Sequence, residues 1–275
     1  MLDVKALLIS PADLQRPLLH HINGDTSWLL QIPRQDRERA YFNILIDPWL
    51  VGTETNYTAW FHEQQHTVPS AFQTIPEVED FLHEVESVAR ALRRPGDWGE
   101  SPSSYEEADG CPSLIDAILI SVDVGDHAHK ETLLQVHPDV PVYGLKRSAK
   151  MISCWNHFRN VVVVPFFLSG SDWQAASVAL SDRVSVTGLM QPREKTGLYY
   201  GFLITFDLQR DGSENSPAHS HGEDGGTGLR HKYTVDNANL PISREALVYI
   251  PHGIHTNNLE HLTTCLLYTS PSPRD

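Results

Sequence analysis

LIDAILISVDVGDHAHKETL, residues 114–133, decides how the rest of the chain is read. LIDAILISV (114–122) is a short, almost wholly apolar run, which fits a strand buried on both faces better than a helix. Asp126-His127 follows it directly, and two readings stay open there. Asp is a preferred helix N-cap and HAHKETLLQV is helix-compatible, whereas a carboxylate beside an imidazole is also a pair of metal donors.

Outward from this segment, SWLLQI (27–32) and FNILIDPWL (42–50) read as two strands joined by a hairpin-like turn, with Asp47-Pro48 ending the second. PEVEDFLHEVESVARALRR (76–94) places Val78, Phe81, Leu82, Val85, Val88, Ala89 and Leu92 at helical spacing, with acids early and arginines late. Residues 94–112 form a loop by composition. Beyond 133 come an amphipathic segment over His127–Val136, a short PVYG strand, a helix over 147–158 and a β-branched run at 160–167. The later part is strand-like: RVSVTGLM (183–190), LYYGFLITFDL (198–208) and EALVYI (245–250). Such alternation predicts an α/β (α+β) fold with part of its sheet covered by helices. The polar, Gly-rich stretch 209–228 reads as a flexible insertion loop.

Composition narrows the function. The 275 residues carry 40% hydrophobic residues, enough for a folded core, and a formal charge of −14 from 21 basic and 35 acidic side chains. That balance disfavours nucleic acid and anionic membranes and leaves a small-molecule substrate as the expected partner. Apolar runs are too short for a secretory leader or a membrane span, which gives a cytoplasmic expectation. Cys111, Cys154 and Cys265 lack any CxxC spacing and suggest neither a disulfide framework nor a thiolate zinc site.

Fifteen histidines supply candidate ligands and also generate accidental motifs. HEQQH (62–66) has HExxH spacing, but Pro69 stops any helix within a turn of His66, so the zinc-protease reading lacks its context. His219 and His221 lie in the insertion, where no fixed geometry is expected. His252 and His255 follow a strand directly, in YIPHGIHTNN. Asp47, Asp126-His127 and His252 all come just after strands, so one sheet edge could gather them into a site.

These residues resemble the metallo-β-lactamase superfamily, in particular a fungal branch of metallo-β-lactamase-like proteins, over roughly residues 20–262. HINGDTSWLLQI resembles the family's opening strand, FNILIDPWLVG its second strand with the characteristic Asp, and LIDAILISVDVGDHAHKETL its metal-binding strand-loop-helix. The resemblance implies an αββα sandwich holding one or two metal ions and hydrolysing an ester, amide or phosphoester. Asp126 and His127 match the last two residues of the family's HxHxDH signature, while Val122 and Val124 stand where it has histidines. His252 falls approximately at the fourth-motif Asp. The implied site is a single Zn, Mn or Fe ion, or none, with Asp126, His127 and His252 as ligands and Asp126 as the catalytic carboxylate. The alternative is a non-catalytic binding or scaffold protein in which Asp126 caps a helix.

The last eleven residues, CLLYTSPSPRD (265–275), resemble a translated sequencing adapter. Residues 1–264 are therefore expected to be an incomplete metallo-β-lactamase-like domain, truncated at its C-terminal end.

Overall fold

The computed structural model describes residue 4 and residues 8–34, 39–55, 63–93, 113–167, 175–193, 195–209 and 242–254. Strand β2 (Trp28–Pro33) pairs antiparallel with β1 (Leu18–His21) on one side and β3 (Tyr41–Ile46) on the other. A small hairpin of β4 (Thr53–Thr55) and β5 (Glu63–Gln65) follows. β6 (Ala117–Ile120), β7 (Val142–Gly144) and β8 (Val161–Val163) then add in parallel, completing a six-stranded sheet of order β1-β2-β3-β6-β7-β8. A second, four-stranded antiparallel sheet of order β12-β11-β10-β9 contains β9 (Val178–Ala179), β10 (Val184–Met190), β11 (Tyr200–Gln209) and β12 (Ile242–Tyr249). The described helices include a 3-10 helix (Pro11–Gln15) and the α-helices α1 (Ile75–Arg93), α2 (Lys130–Leu133) and α3 (Lys146–Ser153).

The first sheet is buried on both faces, which is why its strands are nearly all apolar rather than alternating with polar residues. Leu29, Leu45, Ile118 and Ile120 pack with Val78, Leu82 and Val85 of α1, Leu133 of α2 and Ile152 of α3. Their strand neighbours Leu30, Ile44, Ile46 and Leu119 point the other way, against Val184, Val186, Phe202 and Ile204 of the second sheet. Period-two alternation thus separates two cores, and the described layers are helices, sheet, sheet. The expected mixed α/β class is observed.

Local rules fix several joints. Phe167 N donates to Gly188 O (2.8 Å) and Gly188 N to Pro165 O (2.9 Å), stitching the end of the parallel sheet to β10. Only glycine suits residue 188, because a Cβ there would lie 2.7 Å from Leu145 Cδ2 and 2.9 Å from Pro165 O.

Across the helix-facing side runs a buried polar chain. His20 Nε2 meets Gln31 Oε1 at 2.9 Å, Gln31 Nε2 donates to Asn43 Oδ1 at 2.9 Å, and Asn43 Nδ2 donates to Leu114 O at 2.8 Å. Burial lowers the His20 pKa, against a smaller upward effect of the Gln31 hydrogen bond. Because the folded pKa is the lower one, the unfolded chain takes up this proton first. The His20 contribution is therefore present above about pH 6.5 and lost as pH falls through the folded value. His20→Gln is expected to flatten the acid-side decline in stability, measured by urea unfolding across that window, and identical slopes for the two proteins would contradict it.

Several sequence expectations meet the structure directly. The helix over 76–94 is α1, and the runs at 27–32, 42–50, 114–122, 183–190, 198–208 and 245–250 each contain a strand. The amphipathic segment His127–Val136 forms only the short helix α2. Among the described residues no helix is long and apolar enough to cross a membrane. Cys154 is an exposed free thiol, while Cys111, Cys265 and most of the 209–228 insertion lie outside the described residues.

Candidate functional site

β3 and β6 are parallel neighbours, with Ile46 opposite Leu119, so their carboxyl ends open on the same edge. Asp47 continues the ladder by one bond, its N donating to Leu119 O at 2.9 Å. Its backbone then turns to φ 44°, a left-handed conformation that Asp tolerates better than most residues. The carboxylate thereby caps the next amide of β6: Ser121 N donates to Asp47 Oδ1 at 2.8 Å.

The other carboxylate oxygen is a hub. Asp47 Oδ2 accepts from Ser121 Oγ at 2.5 Å, from His127 Nδ1 at 2.8 Å and from Tyr249 OH at 2.7 Å. Asp47 and His127 are both fully buried. Neighbouring hydroxyls lock the surrounding loops: Ser27 Oγ donates to Asp47 O, Thr26 Oγ1 donates to Asp126 O, and the Tyr249 hydroxyl also lies 2.9 Å from Thr26 O. Four chain segments are thus tied to one aspartate.

In the neutral ring, donating Nδ1–H to Asp47 leaves the lone pair of His127 on Nε2. That atom is buried, has no hydrogen-bond partner, and lies 3.7 Å from Asp126 Oδ2. Asp126 Oδ1 is likewise buried and unpaired. The His252 ring stands 4.8 Å from that of His127, centre to centre, at the exposed rim.

Electrostatics follow the same geometry. Burial alone would lower the His127 pKa, but the Asp47 carboxylate, by charge and hydrogen bond, and then Asp126 raise it overall. Burial and the Asp47 charge push the Tyr249 phenol far up, so it remains a donor. His252 is lowered, first by burial and then by His127 beside it.

The structure corrects two sequence expectations. Asp126 does not cap a helix: the N-cap of α2 is His129, whose Nδ1 accepts from Thr132 N at 3.3 Å, and the Asp126 side chain points elsewhere. Capping falls to His129 because His127 N and Ala128 N bond back to Val124 O, a turn that delays the helix by three residues. The three post-strand segments do come together, but across two sheets: Asp47 and His127 follow strands of the first, and His252 follows β12 of the second.

Other motifs fall away from this centre. Glu63–Gln65 of HEQQH is strand β5 rather than helix, and His62 lies outside the described residues, as do His219, His221 and His255. Val122 is buried, with no polar group to offer. Among the described residues no three His, Cys, Asp or Glu side chains are grouped to hold a metal ion. Ser121 and Tyr249 were not legible as site residues, although both sit at strand ends, the same signal that singled out Asp126 and His252.

No protein-family model matches the chain, and no curated protein matches it. Among solved structures it is similar to the crystal structure of a possible metal-dependent hydrolase from Veillonella parvula DSM 2008. That likeness has a TM-score of 0.45 and 9% sequence identity, and covers 94% of this chain and 69% of that chain. At this distance it carries no argument about the site, whose chemistry rests on its own atoms.

Proposed function

We propose that the chain is a metal-dependent hydrolase of metallo-β-lactamase type, acting on an ester, amide or phosphoester. Asp126 and His127 would hold one Zn, Mn or Fe ion, with His252 completing the site from the rim. The observation that carries this reading is that His127 Nε2 and Asp126 Oδ1 are both buried without a hydrogen-bond partner, with the other Asp126 oxygen, Oδ2, 3.7 Å from that Nε2.

Leaving such groups unpaired costs about 1–3 kcal/mol each. An ion in such a site bonds nitrogen and oxygen donors at about 2.0–2.2 Å. Donors on one tetrahedral ion stand about 3.4 Å apart at those bond lengths, and the His127 Nε2 to Asp126 Oδ2 separation is 3.7 Å. Asp47 plays the supporting part: a carboxylate on the far nitrogen fixes the tautomer and aim of a ligating histidine.

When bound, the ion supplies Lewis acidity and a water of lowered pKa. The chain's own contributions are distinct from that. Asp126 accepts the proton of the attacking water at a carboxylate oxygen.

The test is the metal content of the full chain, purified after supplementation with zinc, manganese or iron and compared with His127→Ala. About one ion per chain, reduced at least tenfold by the substitution, is expected; no retained metal in either protein would refute the reading.

The second reading, a non-catalytic binding or scaffold protein of the same fold, draws on Val122, Val124 and the missing third donor. It expects His127→Ala to cost stability without changing metal content.

A further inference from the structure

At the side of the molecule where β1 edges the first sheet and β12 edges the second, the between-sheet core opens into a cavity of about 310 Å³. Leu19, Trp28, Ile46 and Leu247 give it apolar walls, Tyr249 joins it to the Asp47 network, and Asp25 stands at its mouth. Ile46 is wholly buried at the base, one residue before Asp47. Leu19 and Val248 keep 48% and 43% of their surface exposed on the two flanking edges, so apolar area here faces solvent.

The charge of the opening is one-sided. Asp25 is the only charged residue lining it among the described residues, and no Lys or Arg accompanies it. The hydrogen bonds of residue 25 use its backbone alone: N donates to Asn23 Oδ1 and O pairs with His21 Nε2. Asp25 is exposed and leaves its carboxylate as an acceptor, in a tight turn in which Gly24 takes φ 73°. Tyr249, which lines the cavity and donates to Asp47 Oδ2 at 2.7 Å, places it beside the proposed reaction centre.

We propose that this cavity binds the apolar body of a small cationic molecule, an aryl- or alkyl-ammonium compound, with its ammonium group at Asp25. Apolar walls with one placed charge are the usual makeup of a small-molecule site, and the volume suits a single ring with a short chain. The indole of Trp28 lines the cavity, with one face stacked on the His21 ring at 4.0 Å. That the occupant is the substrate, and so that the hydrolysed compound carries an amine, rests on the hydrolase reading; the binding itself does not.

The experiment uses the full chain treated with chelator, so that its outcome is independent of metal. Phenethylamine, phenylethanol and phenylacetate are titrated separately while tryptophan fluorescence is followed. Phenethylamine is expected to bind saturably and at least about threefold more tightly than phenylacetate, the discrimination that one exposed charge supplies. Asp25→Asn should erase that preference while phenylethanol binding stays, and Trp28→Phe should remove most of the signal. Absence of saturable amine binding, including because the chain's own residues fill the cavity, would overturn the proposal. So would equal affinity for the amine and the acid. Amine binding by a chain that never takes up metal would leave the cavity assigned and defeat only the hydrolase reading.

Discussion

Asp47→Ala is expected to lower the unfolding free energy by about 3–5 kcal/mol, the range for stripping a buried charged partner from its network. Ser121 N, Ser121 Oγ and His127 Nδ1 lose this acceptor at once, and the Tyr249 hydroxyl is left with Thr26 O alone. Alanine also fits poorly at φ 44°, which adds roughly 1 kcal/mol. Asp47→Asn tolerates that backbone and keeps one acceptor oxygen, so its cost should be smaller, about 1–3 kcal/mol. Tyr249→Phe removes a single donor and should cost about 1 kcal/mol. Urea unfolding of the three variants, with the exposed Asp182→Ala as control, checks the order. A cost for Asp47→Ala within about 1 kcal/mol of that control would show that the network does not hold the two sheets' ends together.

The second large effect concerns the ion. If Asp126 and His127 bind it only in the folded chain, metal at one hundred times its dissociation constant stabilises the protein by about 2.7 kcal/mol. His127→Ala and Asp126→Asn should each abolish that increment, while Asp25→Asn should keep it. Denaturant midpoints with and without added zinc, manganese or iron provide the readout. Equal stabilisation of the wild type and His127→Ala would mean that the ion binds elsewhere.

Much of the framework was legible because burial writes itself into hydrophobic pattern. LLQI, NILI and AILI are short and mostly apolar, broken only by Gln31 and Asn43, and they became the central strands β2, β3 and β6. The periodicity from Val78 to Leu92 became α1. What escaped was short or held by tertiary partners. β1 is LLHH, whose two histidines conceal a strand that pairs with β2 over four residues. The hairpin of β4 and β5 has three residues per strand, and β5 lies inside HEQQH, whose spacing is that of a helical motif.

The site shows the same division. Strand-end position identified Asp47, His127 and His252 as segments that could converge, yet nothing local reveals that Asp47 would be the hub. Its role depends on the parallel pairing of β3 with β6 and on Tyr249, 202 residues further along the chain. Local preference also misassigned Asp126. Asp is a good N-cap in isolation, but the turn closed on Val124 O moved the helix start past it, and His129 took the cap.

The most direct test of the central claim is X-ray absorption at the metal edge of the full chain loaded with zinc, read beside His127→Ala and Asp126→Asn. The account predicts a shell of nitrogen and oxygen at about 2.0–2.2 Å that includes at least one imidazole, with the imidazole signature lost in His127→Ala. A shell of oxygen alone, or an imidazole contribution unchanged by that substitution, would contradict it.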